Sequence, residues 1–131
     1  MTVDKMQEQN WPFFKRDELK CRFTNECAMS PEFMTKVVML RNRFGKPMVV
    51  TSAYRHIDHP AEKSKIAKGK KAGWHNAGRA IDILVCGTDA WQLVRYATEM
   101  GLSIGINQRG LHAQRYIHID DRPPPQMIWS Y

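Results

Sequence analysis

With 131 residues, 43% of them hydrophobic, the chain has the size and composition of one domain with one core. It contains no run of 18 apolar residues, which excludes a membrane-spanning helix, and a chain of this length buries roughly 65% of its unfolded surface without a disulfide framework. Twenty Lys and Arg against thirteen Asp and Glu leave a formal charge of +7, which favours an anionic partner such as nucleic acid or a bacterial envelope polymer.

The first residues, Met1 to Lys15, mix Asp4, Lys5 and Glu8 without an apolar stretch. The expectation is cytoplasmic synthesis without a signal peptide, with residues 1–12 forming an arm. Cys21 and Cys27 are six apart, too far for the usual C-x₂₋₄-C zinc pairing, and are expected as partly buried thiols; with Cys86 they make an odd, sparse set that fits reduced cysteines.

Ser30-Pro31-Glu32 reads as an N-cap, a proline at the first helical position and an acid in the first turn. Phe33, Val37, Leu40, Arg41 and Phe44 follow at helical spacing, and Gly45 and Pro47 stop the helix. Met48 to Ser52 is a short strand that delivers Ala53, Tyr54 and Arg55 into a loop. Residues 60–73 are expected as a solvated loop, since five of the nine residues from Lys63 to Lys71 are lysine. No aromatic is interleaved there, which removes a stacking platform and argues against nucleic acid as partner.

Arg79 to Val85 reads as a strand with Asp82 on one face and Ile81 and Ile83 on the other. Thr88 or Asp89 is the expected cap of a second helix, with Trp91, Val94, Tyr96 and Ala97 as its apolar stripe and Gly101 as its stop. Leu102 to Ile106 and Tyr116 to Asp120 are further strands; on the last, Ile117 and Ile119 face the core while Tyr116, His118 and Asp120 face a site. The sum is an α+β domain, a small antiparallel sheet packed with helices.

Five histidines are spread along the chain, and His75 stands seven residues before Asp82, with Gly78 between. Zinc hydrolases need three ligands from His, Asp or Glu and one open position, and His118 on its strand can complete such a set. Four pieces in order, Thr51-Ser52-Ala53-Tyr54-Arg55, the His75 to Asp82 segment with Gly78-Arg79-Ala80, Gly105-Ile106, and Ile117-His118-Ile119-Asp120, carry a family resemblance. From about Phe13 to the closing Trp129 and Tyr131 the chain resembles the zinc D-alanyl-D-alanine carboxypeptidases and related phage endolysin peptidases of the Hedgehog/DD-peptidase fold.

The resemblance implies that His75, Asp82 and His118 hold Zn²⁺, which lowers the pKa of a bound water toward ~7 for attack on a peptide carbonyl. It implies that Arg55 grips substrate or steadies the developing oxyanion, although an ion pair with an internal acid explains an arginine there equally well. Asp120 is the candidate for a base or, better, for the acceptor that orients a ligand histidine. Ser52, Tyr54 and His59 are candidate substrate neighbours, with Ser52 and Tyr54 equally able to support the fold. Trp74 and Trp129 could wall a cleft or simply fill core.

Several relatives carry an acid three positions before the last histidine, where this chain has Arg115, so the general base is unassigned; His112 is a loop alternative. The expected function is hydrolysis of a peptidoglycan stem peptide or cross-link by a monomeric phage or prophage enzyme, which reaches the wall through a separate pore or as part of a virion. The basic surface would meet anionic wall polymers. The alternatives are a zinc-binding virion module that has lost hydrolysis and a basic nucleic-acid-binding domain.

Overall fold

Ser30 opens the first long helix as its sequence predicts: its Oγ accepts a hydrogen bond from the Phe33 amide at 3.3 Å, and Pro31 occupies the first turn. In the computed structural model, which describes residues 10–131, this is helix α2 (Pro31–Phe44), preceded by one short turn, α1 (Arg16–Leu19). Most of the expected arm, residues 1–9, lies outside the described residues. Gly45 ends α2 with a φ of 73°, and the buried face is Phe33, Met34, Val37, Leu40 and Phe44. Arg41, counted in that stripe from its spacing, instead stacks on the ring of exposed Phe13.

The remaining elements are β1 (Val49–Ser52), α3 (Pro60–Ala67), β2 (Ala80–Leu84), α4 (Gly87–Glu99), β3 (Ser103–Asn107), a 3-10 turn (His112–Gln114), β4 (Tyr116–Asp120) and β5 (Ile128–Ser130). The five strands lie in the order β1-β2-β4-β3-β5. The α+β architecture agrees with the sequence, as do the antiparallel pairings of β1 with β2, β2 with β4 and β4 with β3. The fifth strand differs: β5 joins β3 in parallel, so the sheet is mixed. Its sequence, Ile128-Trp129-Ser130, is too short for alternation to announce it.

Two further expectations change. The lysine-rich segment is not all loop, because His59 caps α3 by accepting the Ala61 amide on Nδ1 and Pro60 takes the first helical position. Lysine is a good helix former, and its density there obscured the start signal. Helix α4 begins at Gly87 with Cys86 as its cap residue, earlier than Thr88 or Asp89, and Trp91 is 64% exposed while Ala90, Leu93 and Ala97 face the core.

The core sits between the helices and one face of the sheet, where Ile81 and Ile83 of β2, Ile104 of β3 and Ile117 and Ile119 of β4 meet Phe33, Met34, Leu40 and Leu93. Cys21 and Cys27 are buried, more deeply than expected, and burial pushes the Cys27 thiol up to about 11. Side chains alternate across a strand, so the opposite sheet face carries Asp82, His118 and Asp120. Register then lines up one row of Cα partners across all five strands: Ser52, Asp82, His118, Gly105 and Trp129.

Candidate metal centre

Direct cross-strand partners in register share a face, so the pairing of Asp82 with His118 places a carboxylate and an imidazole side by side. The His118 Nδ1 lies 2.9 Å from Asp82 Oδ1. The third member comes from the turn before β2. There, Gly78 (φ 71°) presses against the backbone of Ala28, so closely that a Cβ would overlap the Ala28 carbonyl oxygen. Hydrogen bonds from Ser30 N to Gly78 O and from Arg55 N to His75 O fix the turn from both sides. His75 Nε2 consequently sits 3.2 Å from the same Asp82 Oδ1.

Hydrogen bonds on the far ring nitrogens decide what these atoms offer. His75 Nδ1–H donates to the Ala53 carbonyl at 2.6 Å, and Asp120 Oδ2, 2.7 Å from His118 Nε2, is the acceptor for a proton on that nitrogen. With the single ring proton of His118 on Nε2, the two nitrogens facing Asp82 carry lone pairs, so three electron-rich atoms point at one another inside a buried site. Such an arrangement repels itself unless a cation, a proton or a metal ion, lies among them. The ligand atoms lie within 4.8 Å of one another, and two imidazoles with one carboxylate are a donor set that suits zinc and leaves a position open.

The electrostatics follow from that geometry. Burial pushes the Asp82 carboxyl up, but hydrogen bonds and charge from His118 and His75 overcome it and hold the group well below the usual carboxylate range. Burial pulls the His118 imidazole down, yet Asp120 and Asp82 outweigh that and raise it above its ordinary value.

Asp120 is fully buried with both oxygens committed: Oδ2 accepts from His118 Nε2 and from Arg122 Nη2, each at 2.7 Å, and Oδ1 accepts from Arg122 Nε at 2.9 Å and from its amide at 3.1 Å. Burial raises its carboxyl, but these bonds bring it down to about 2. A carboxylate so engaged orients His118, the second of the two roles expected for it, and its four donors leave less room for action as a base.

The three candidate ligands line a cavity of about 360 Å³. Arg55, Lys65 and Arg122 supply its cations, and Trp74, Tyr116, Trp129 and Tyr131 supply aromatic walls. The expectation that Trp74 and Trp129 wall a cleft matches this placement. Gly105 makes room for one wall: a Cβ there would lie 2.7 Å from the Trp129 ring, whose centroid is 5.2 Å from that of His118. Arg122 reaches over both Trp129 and Trp74, at 4.7 Å and 5.7 Å from their ring centroids. Burial and the neighbouring Tyr116 raise the Tyr131 phenol to about 12, so it is a neutral hydroxyl.

Arg55 lines the cavity and also pairs with internal acids. Its Nη2 is 3.6 Å from Asp82 Oδ2, its Nη1 is 4.0 Å from Glu62 Oε2, and its Nε donates to Ser52 Oγ at 3.1 Å. Ser52 thus steadies Arg55 and is not among the cavity walls. Tyr54 is placed elsewhere, its phenol raised by burial and by nearby Glu26, Cys21 and Cys27. His59 is occupied as the cap of α3, His56 pairs with Glu26 at 3.1 Å, and exposed His112 lies in the 3-10 turn; none of them lines the cavity. Arg115 donates to the Gly110 carbonyl and is also absent from the walls.

Sequence reading missed Glu62, Lys65 and Arg122. Glu62 had a usable signal, because His59-Pro60-Ala61-Glu62 repeats the cap, proline and first-turn acid of Ser30-Pro31-Glu32. Arg122 had none, since its role depends on which way the chain turns after β4.

Comparison with curated proteins and with solved structures gives no match. A family profile described as Peptidase M15 matches residues 12–120, a span that begins before α1 and ends on Asp120, and so takes in all three candidate ligands. With that match over most of its length and a buried His-Asp-His cluster able to hold a metal ion, the chain belongs to the peptidase M15 family of metallopeptidases.

Proposed function

We propose that this protein is a zinc-dependent peptidase that cuts a stem-peptide or cross-link bond in bacterial peptidoglycan, and that it serves a phage or prophage. The observation that carries the catalytic part is the convergence of His75 Nε2, His118 Nδ1 and Asp82 Oδ1 at the floor of a cavity that also contains Arg55. A bound zinc ion supplies a Lewis acid there, activating water and polarising the scissile carbonyl.

The chain's own residues do the rest. Ala53 and Asp120 fix the ring orientations of His75 and His118, so neither imidazole has to reorganise to bind metal. Arg55 directs a guanidinium into the same space, where it stabilises negative charge developing on the carbonyl oxygen. Trp74 and Trp129 exclude water and accommodate the substrate backbone, and Arg122, held by Asp120, favours an acidic group on the substrate. The net charge of +7 supports attraction to anionic wall polymers. We place its action at the cell wall after cytoplasmic synthesis, reached through a separate pore or in a virion.

The test is digestion of isolated cell walls by the zinc-loaded protein, followed by mass analysis of the fragments. Release of new amino groups that stops with a chelator and is absent in His75→Ala supports the proposal, and the fragments identify the bond. A second reading, a zinc-binding module without hydrolysis, draws on the cavity walls, whose one side-chain carboxylate is the candidate ligand Asp82. Full zinc loading with no release would establish that reading and end the first.

A further inference from the structure

Glu62 is a buried charge that the proposed reaction leaves without a task. It lies on α3 among lysines, yet its side chain is 0% exposed. A carboxylate withdrawn from water is tolerated only when hydrogen bonds and opposite charges replace the solvent. Here Oε1 accepts the Gly73 amide at 2.7 Å, while Oε2 accepts Lys65 Nζ at 3.1 Å and faces Arg55 Nη1 at 4.0 Å. Burial raises the Glu62 carboxyl, but these three partners outweigh it and hold the group below its ordinary value, so it is ionised at neutral pH.

The partners have one thing in common: Arg55, Lys65 and Gly73 all line the metal cavity, whereas Glu62 does not. The Arg55 guanidinium hangs between two carboxylates, with Glu62 on one side and Asp82, 3.6 Å from Nη2, on the other. Without the charge of Glu62, the nearest anion left to Arg55 is the candidate metal ligand itself, and Lys65 loses its partner.

We propose that Glu62 is a positioning residue that holds the Arg55 guanidinium and the Lys65 ammonium as paired donors on one wall of the cavity. The consequence for turnover rests on the peptidase reading; the consequence for Arg55 does not. The Gly73 bond is a separate, structural duty, and Glu62→Gln separates the two because its amide oxygen can still accept from Gly73 while the charge is gone.

The experiment compares zinc-loaded wild type, Glu62→Gln and Glu62→Asp. It reads zinc affinity by chelator competition, the NMR resonance of the Arg55 Nε–H group (assigned by its loss in Arg55→Lys), and kcat and KM on soluble muropeptides. The expected result for Glu62→Gln is zinc affinity within about threefold of wild type, a displaced Arg55 resonance, and kcat lower by about tenfold to a hundredfold with a smaller change in KM. Glu62→Asp keeps the charge one methylene short and falls between; it carries the comparison alone if Glu62→Gln does not fold. An unmoved Arg55 resonance, or a loss of zinc affinity that matches the loss of turnover, overturns the proposal. If zinc-loaded wild type cuts nothing, the peptidase reading fails by itself, and the resonance still decides whether Glu62 positions Arg55.

Discussion

Replacing Asp120 with asparagine removes one charge, changes almost no volume, and sets two demands in conflict. The native Oδ2 serves His118 Nε2 and Arg122 Nη2, and Oδ1 serves Arg122 Nε and the Arg122 amide, so every neighbour is a donor. An amide has one acceptor end. Turned with its oxygen toward His118, it sets its NH₂ against two Arg122 donors. Turned the other way, it obliges His118 to accept on Nε2, which puts the proton on Nδ1, the candidate ligand atom 2.9 Å from Asp82. Loss of a partner that orients a ligand histidine costs about 10- to 100-fold in metal affinity, or about 1.4 to 2.7 kcal/mol. The unpaired buried donors cost about 1 to 3 kcal/mol in the metal-free fold, which lowers Tm by about 4 to 12 °C for a chain of this size.

Chelator competition measures the first quantity and a thermal melt of the chelator-treated protein the second. Wild-type zinc affinity together with an unchanged melt in Asp120→Asn would refute the tautomer argument. Turnover at saturating zinc then separates orientation from base catalysis: it returns to within about tenfold of wild type if Asp120 acts only through His118. A residual deficit above about a hundredfold would restore the base role.

Arg55→Lys replaces a fork that serves Ser52, Glu62 and Asp82 with one ammonium, and turnover is expected to fall by about a hundredfold while zinc affinity moves less than about threefold. Full activity in that variant would make Arg55 a structural residue. Gly105→Ala drives a Cβ into the Trp129 ring and should cost about 1 to 3 kcal/mol of stability, alter tryptophan fluorescence and raise KM, with zinc still bound; an unchanged KM would remove Trp129 from the substrate wall. In acid, Asp120, with its pKa lowered from 3.8 to about 2, contributes stability that is complete above pH ~4 and is lost as pH falls toward ~2, on the order of 2 kcal/mol. His118, raised in the fold, contributes stability below its ordinary value of 6.5 that is lost as pH rises through its raised one. Urea unfolding of the metal-free protein should thus be weaker at both ends of the pH range, and a flat profile would contradict these charge placements.

Local chemistry wrote much of this fold into the chain. Ser30-Pro31 and Gly45 bound α2 because capping and left-handed backbone are properties of a few neighbouring residues, and the alternation Tyr116-Ile117-His118-Ile119-Asp120 identified the two faces of β4 because a strand's side chains have period two. The spacing of His75, Asp82 and His118 could suggest a metal set but not its geometry.

What only the tertiary structure decided are relations between strands and across turns. Register put Ser52, Asp82, His118, Gly105 and Trp129 in one row, and no single strand carries that information. The parallel docking of β5 brought Trp129 over His118, and the packing of α3 against the turn at Gly73 buried Glu62 behind Arg55. Periodicity reports which side of an element is apolar; it does not report which charges from distant segments meet on the polar side, because burial of those charges becomes tolerable only after their partners have arrived.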